Sequence, residues 1–120
     1  MFGLLKIETE SQFQKKLMKT LDKIGCYVVK YNASGISKVG VPDVLVCYKG
    51  LFIGVECKRD DGVISDIQQW NINQIRNSGG KAWCIRANQL DEFVVEFTNE
   101  NWDKIGELSL ENEKEIEDIS

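Results

Sequence analysis

The sequence predicts an α/β domain of three layers, a mixed four-stranded sheet flanked by helices in the order α-β-β-β-α-β-α. Three observations carry that expectation. Two apolar runs, residues 44–48 and 51–55, rich in β-branched and aromatic residues, are separated only by Lys49-Gly50, the pattern of a tight hairpin. Two capping boxes, Thr9-Glu10-Ser11-Gln12 and Ser65-Asp66-Ile67-Gln68, each open a stretch with helical apolar spacing. An apolar run after the second of these, residues 82–86, returns to the sheet by a right-handed crossover, which makes it parallel to the strand before the helix. A chain of 120 residues suits one domain with a core that needs no staples. That domain is assigned to residues 1–108, and the charge run of residues 109–120 reads as an acidic, disordered tail.

After a short lead, the first helix starts at Thr9, places Phe13, Leu17, Leu21 and Ile24 on one inner face and stops at Gly25. Glu10 lies three residues before Phe13 and seven before Leu17, so it leaves the first turn on that same side. An acid at this position also suits the helix dipole. Lys15, Lys19 and Lys23 form a stripe with Lys16 beside it, either a solvated face or one that meets phosphates. Residues 26–31 read as the first strand. The loop 32–40, which contains Gly35 and Gly40 with Ser34, Ser37 and Lys38, ends just before Asp43 and so rims whatever site Asp43 belongs to. Loops so placed commonly bind ligands, and Lys38, with Ser37, is the candidate phosphate contact, the alternative being a merely flexible surface loop.

The hairpin is where the chemistry concentrates. With Lys49-Gly50 as a two-residue loop, Tyr48 pairs with Leu51, Val46 with Ile53, Val44 with Val55 and Asp43 with Glu56. Side chains alternate along a strand, so Glu56 and Lys58 share a face, and cross-strand pairing adds Asp43 to it. Two carboxylates this close cannot both ionise cheaply. A shared proton, Lys58, or a divalent cation must offset them, and hard oxygen ligands suit magnesium or manganese. A bulge at Gly50 would slip the register and make the two acids diagonal neighbours.

Beyond the hairpin, Arg59-Asp60-Asp61-Gly62 reads as turn chemistry rather than as ligands. The second helix runs from the Ser65 cap through Trp70, Ile72 and Ile75 to Ser78, with Gly79-Gly80 as its stop. Gln68 either caps that helix or, in register with Ile72 and Ile75, turns inward. Residues 82–86 form the fourth strand and residues 88–97 a third helix with Leu90, Phe93, Val94 and Phe97 apolar, after which Trp102, Ile105 and Leu108 suit a further docked turn. No internal repeat is present.

Composition narrows the function classes. With no histidine in the chain, histidine-metal nuclease chemistry and Ser-His or Cys-His catalysis are excluded. Cys26, Cys47, Cys57 and Cys84 show no C-x-x-C pair and read as buried thiols, with Cys47 and Cys57 on opposite sides of the hairpin. The net charge of −4 is uneven: residues 1–99 hold 13 Lys and Arg against 11 Asp and Glu, while residues 100–120 hold 2 against 8. The acidity therefore belongs to the tail, and the remainder is compatible with a polyanionic partner. No signal peptide and no apolar run of membrane-spanning length are seen, so the expectation is a soluble, cytoplasmic protein with no membrane partner.

Pro42-Asp43, a spacer, then Glu56-Cys57-Lys58 resembles the motif of the PD-(D/E)XK nuclease superfamily. With Gly40-Val41 before it and Ser65-Asp66-Ile67-Gln68 and Gly79-Gly80 after it, the stretch from about residue 8 to residue 87 is similar to a stand-alone virus-type replication-repair nuclease (VRR-NUC) domain of phages and prophages. The resemblance implies a restriction-endonuclease-like core and Mg²⁺-dependent endonucleolytic hydrolysis of DNA, with Mn²⁺ able to substitute. It implies that Asp43 and Glu56 hold the ion, with the backbone carbonyl of Cys57 and, directly or through water, Glu10. Lys58 would position or activate the attacking water, and Gln68 would lie at the edge of the site. It further implies branched DNA such as Holliday junctions or flaps as substrate, a homodimer, no organic cofactor, and a role in phage replication, recombination or repair. Two other readings stay open: a nicking or restriction-like nuclease without branch selectivity, and a cleavage-dead DNA-binding or interaction module. Against the last, a binding module has no reason to keep repelling carboxylates together.

Overall fold

A computed structural model describes residues 9–35, 38–100 and 102. Its elements are α1 (Glu10–Ile24), β1 (Tyr27–Lys30), β2 (Val44–Tyr48), β3 (Leu51–Lys58), α2 (Asp66–Asn77), β4 (Lys81–Arg86), a 3₁₀ turn (Ala87–Gln89) and α3 (Leu90–Thr98). The one addition to the expected order is the 3₁₀ turn, which occupies the start of the expected third helix. Both capping boxes form: Thr9 Oγ1 accepts from Gln12 N–H while the Gln12 side chain accepts from Thr9 N–H, and Ser65 and Gln68 repeat the arrangement. Gly25, with φ 110°, ends α1 in the left-handed conformation.

The sheet runs β1-β2-β3-β4, with β1, β2 and β3 successively antiparallel and β4 parallel to β3. Lys49 and Gly50 both take positive φ, 54° and 81°, the signature of a two-residue type I′ turn whose twist matches the flanking strands. The register is therefore Tyr48 opposite Leu51, Val46 opposite Ile53 and Val44 opposite Val55, with no bulge.

The strand period of two divides the chemistry between faces. Val44, Val46, Leu51, Ile53, Val55 and Cys57 point to a core shared with Phe13, Leu17 and Leu21 of α1, Phe93 and Phe97 of α3, and Trp102. Burying each of the large side chains contributes about 2 kcal/mol relative to exposure. Trp102 closes this core edge-on against Tyr48 and donates its indole N–H to Phe97 O at 3.0 Å. Ile105, Leu108 and the acidic tail lie outside the described residues. On the opposite face, α2 packs on β3 and β4. It comes so close that a Cβ on Gly54 would stand 2.8 Å from Ile75 Cδ1 and 2.9 Å from Pro42 Cγ. Gly54, Glu56 and Lys58 share this second face by alternation, so a polar site lies between the sheet and the first turn of α2.

Two expectations are corrected. Cys47 is exposed and Cys84 only partly buried, because both lie on the α2 face, which that helix covers incompletely. The β2–β3 ladder ends at Val44–Val55, so Asp43 is not a ladder partner of Glu56. The Asp43 carbonyl instead accepts from Tyr31 N–H at 2.8 Å, extending the β1 side.

Candidate active site

Glu56 organises the site. It is 1% exposed, in the middle of a sheet face. Its Oε1 accepts from Gln68 Nε2 at 3.0 Å and lies 3.9 Å from Lys58 Nζ, a loose ion pair. Its Oε2 is buried with no hydrogen-bond partner among the described residues. Burial above all, then the charge of the neighbouring Asp43 carboxylate, push the Glu56 carboxyl up to about 8; Lys58 opposes this and Glu10 adds to it.

Asp43 reaches the same place from the start of β2. Its Oδ2 accepts from Cys57 N–H at 3.2 Å, which turns the carboxylate across the gap between the strand ends. The two acids thus meet by a side-chain-to-backbone bond instead of the pairing expected from the hairpin count, and the electrostatic consequence is the same. Pro42 is fully buried just before it. Gly40, at φ 81°, lets the chain pass so near α2 that a Cβ would sit 2.8 Å from both Asn71 Nδ2 and Ile67 Cγ1.

Gln68 performs both of the roles left open for it. Its Oε1 accepts from Ser65 N–H at 2.9 Å, and the opposite end of the amide donates to Glu56. Capping fixes which end of the amide faces the site, so the helix start and the carboxylate position each other. Lys58, with a side chain 16% exposed, stands at the end of β3 on the Glu56 face. Glu10, half-buried in the first turn of α1, is near enough for its charge to act on both Glu56 and Cys57.

The remaining predicted contacts are more scattered. Lys15 and Lys19 are exposed on the solvent side of α1. Lys38 is turned toward α2, its Nζ 5.4 Å from the Trp70 ring centre, and is not brought among the carboxylates. Ser37 lies outside the described residues. Asn71 is a site residue that sequence reasoning misses. It is buried and donates to Val39 O at 3.1 Å and Ile67 O at 2.9 Å, tying the 38–40 segment to α2. Its signal is a carboxamide three residues after Gln68, on the inward side of the helix with Ile72.

The donor set suits a hard divalent cation. Oε2 of Glu56 calls for a proton or a cation, and the nearby Asp43 carboxylate makes a cation the stronger attraction. The thiols do not compete: burial first, then the Asp43 and Glu56 charges, push the Cys57 thiol far up, so it stays protonated on the core side. Among the described residues no three acidic or thiol side chains converge to form a cage. An ion here would take two carboxylates and complete its shell with backbone and water oxygens, as Mg²⁺ commonly does.

Residues 7–118 match the profile of the archaeal Holliday junction resolvase (Hjc) family. This chain belongs to that family. It is accordingly a nuclease, a hydrolase of the PD-(D/E)XK type, in a family of structure-selective enzymes. Among solved structures, one titled "VRR_NUC domain" is similar with 25% identity and a TM-score of 0.60 over 71% of this chain and 92% of its own. A "VRR_NUC domain protein" shares the fold at 18% identity and a TM-score of 0.57, over 82% of this chain and 90% of its own. The Hjc resolvase of Archaeoglobus fulgidus, described as a Holliday junction resolvase from an archaeal hyperthermophile, shares it at 19% identity and a TM-score of 0.51, over 63% of this chain and 66% of its own. No curated protein matches significantly. Among the described residues no helix of this family member is long and apolar enough to cross a membrane.

Proposed function

We propose that this Hjc-family chain is a Mg²⁺-dependent endonuclease that hydrolyses branched DNA, Holliday junctions or flaps, in replication, recombination or repair. The observation that carries the reading is the buried Glu56 with one unsatisfied oxygen beside Asp43. Isolated, that arrangement is a cost to the fold, and a cation turns it into a binding site. Asp43, Glu56 and the Cys57 carbonyl would hold the ion, with Glu10 as a further ligand directly or through water. When bound, Mg²⁺ supplies Lewis-acid polarisation of a phosphoryl oxygen and lowers the pKa of a coordinated water.

The protein's own groups do the rest. Lys58 emerges beside Glu56 and places a compact positive charge where negative charge develops on the phosphate, while orienting the attacking water by hydrogen bonding. Gln68 holds Oε1 of Glu56 by its amide N–H, which leaves Oε2 as the oxygen that would meet the ion. Lys38, over Trp70 of α2, and Lys15 and Lys19 on α1 contact phosphates that flank the cleaved one, supplying the salt-dependent part of binding. A cleavage-dead binding module is disfavoured because it would bear the cost of the buried acid without its use.

A homodimer is supported by the half of the sheet that α2 leaves uncovered. Tyr27 and Phe52 lie in one cross-strand row with Cys47, and Phe52 shares a surface groove with Lys38, which in turn covers Trp70. Tyr27 is 70% exposed, Phe52 50% and Trp70 48%. At roughly 200 Å² per aromatic side chain they leave about 350 Å² of apolar surface open, the size of the largest patch on a typical monomer, which is often functional.

The deciding experiment is cleavage of a four-way junction, a flap and a linear duplex with Mg²⁺ varied. Branched substrates are cut and the duplex is spared, and Glu56→Gln or Lys58→Ala abolishes cutting. Equal cutting of the duplex sinks the branch selectivity. Wild-type rates in either variant sink the assignment of roles.

A further inference from the structure

The turn between β3 and α2, residues 59–64, has an active-site side chain at each end. Lys58 closes β3, and the Ser65 cap presents Gln68 to Glu56. Left to itself such a polar, exposed turn would let the two ends drift, because little of it is buried. The structure ties it at two points to the end of β4. Arg86 stands opposite Lys58 in the parallel register and therefore emerges on the same sheet face as Lys58 and Glu56. Its Nη2 donates to Gly62 O at 2.8 Å. Two residues further on, Asn88 N–H donates to Asp60 Oδ1 at 3.2 Å. The base of this clamp is itself fixed, since Arg86 N–H donates to Gln89 Oε1 at 2.8 Å. Gly62 also donates its N–H to Arg59 O at 2.9 Å, so the carbonyl that Arg86 grips belongs to a closed turn.

A guanidinium-to-carbonyl bond is charge-assisted and about twice as strong as a neutral one. It is made by a half-buried arginine on the catalytic face and ends on the carbonyl in the middle of the segment that separates Lys58 from Gln68. Asp60 falls in the turn Arg59-Asp60-Asp61-Gly62, and its carboxylate caps the backbone that follows β4.

We propose that Arg86 is a positioning residue of the active site, acting through the 59–64 turn, with Asp60 as its second anchor, to hold Lys58 and Gln68 in register with Glu56. This rests on the nuclease reading above. Arg86 touches neither the ion nor the scissile phosphate in this role, so its loss changes the rate of the chemical step and leaves DNA binding alone.

The test is the kinetics of junction cleavage with Mg²⁺, alongside junction binding with Ca²⁺ in its place. Arg86→Met lowers kcat about 10- to 100-fold with KM and junction affinity unchanged. Arg86→Lys recovers most of the rate, because one donor suffices for the Gly62 carbonyl. Asp60→Ala, at an exposed position, lowers kcat in the same sense. In a Gln68→Ala background, Arg86→Met costs less than it does in the wild type, so the double variant loses less than the product of the two separate effects, since part of the action of Arg86 passes through Gln68. A rise in KM or weakened binding with kcat intact would make Arg86 a phosphate contact and overturn the inference. So would independent, multiplicative effects of the two substitutions, or wild-type kcat in both Arg86→Met and Asp60→Ala. Should Arg86→Met fail to fold, the kcat of Asp60→Ala decides: a fall supports the positioning role and a wild-type value overturns it. Glu56→Gln and Lys58→Ala run in parallel separate the two claims: wild-type rates there sink the site itself, whereas their loss of activity beside normal Arg86 and Asp60 variants sinks only this positioning role.

Discussion

Glu56 is held folded at the expense of its charge, and that gives the metal-free protein a pH dependence with a definite sign. Its carboxyl is raised from an ordinary value of 4.5 to about 8. Across that window the folded protein binds more protons than the unfolded chain, so stability in chelator falls as pH rises from about 4.5 to about 8 and levels off above. Thermal melts in EDTA at pH 5 and pH 8 measure this, and Glu56→Gln flattens the profile and raises the midpoint at pH 8 while abolishing cleavage. A profile unchanged by Glu56→Gln would remove Glu56 as its source. The same proton competes with the ion, so Mg²⁺ affinity by calorimetry strengthens as pH rises toward 8, and Asp43→Asn with Glu56→Gln eliminates it. Gln68→Ala separates two functions in one side chain. It costs about 1 kcal/mol of cap stability, and it lowers kcat by about 10-fold or more through the lost bond to Glu56. A stability loss with normal kcat would leave Gln68 a cap alone.

At the scale of elements, the site depends on how closely α2 lies on the sheet. Gly54 is the contact point: there is no room for a Cβ between Ile75 and Pro42. Gly54→Val therefore costs about 1–3 kcal/mol by overpacking and pushes α2 outward, so that cleavage falls further than the melting temperature accounts for. The comparison that checks this is Gly50→Asn in the hairpin turn. There nothing lies within 4 Å of an added Cβ and the positive φ suits asparagine, so kcat stays at the wild-type level. Asn71 contributes at this scale too. By pinning Val39 O to α2 it sets the path of the chain into Pro42-Asp43, a link between two elements far apart in sequence.

For the whole molecule, the uncovered sheet face is the feature with the largest consequence. If the proposed homodimer forms through this face, Phe52→Glu or Tyr27→Lys converts it to a monomer by light scattering with little change in the monomer's own stability, because both side chains already stand in solvent. A mass that stays dimeric in both would place the interface elsewhere. The distribution of charge acts on the same scale. With −6 on residues 100–120 and +2 on residues 1–99, removing residues 109–120 leaves a more basic chain, and tighter junction binding with a steeper salt slope is the result if the tail competes with DNA. Unchanged affinity and slope eliminate that competition.

Local signals in the chain are enough for the elements and the register. Capping boxes, helical spacing and a two-residue Lys49-Gly50 turn are readable because each depends on residues within a few positions of one another. They place Glu56 and Lys58 on one face and Gln68 in the first turn of α2. Contacts between distant segments are a different matter, since no local pattern encodes them. The hairpin count brings Asp43 opposite Glu56, but the chain leaves the ladder at Val44 to bond β1, and the two acids meet through the Cys57 amide. The Asp60 turn reads as turn chemistry alone, yet it is gripped by Arg86 from a strand 24 residues away from Gly62. Lys38 reads as a rim residue from its place before Asp43, and it lies over Trp70. Burial of Glu56 is likewise tertiary. Its alternation with Val55 and Cys57 says which face it takes, and only the arrival of α2 over that face makes it a desolvated carboxylate with an unsatisfied oxygen.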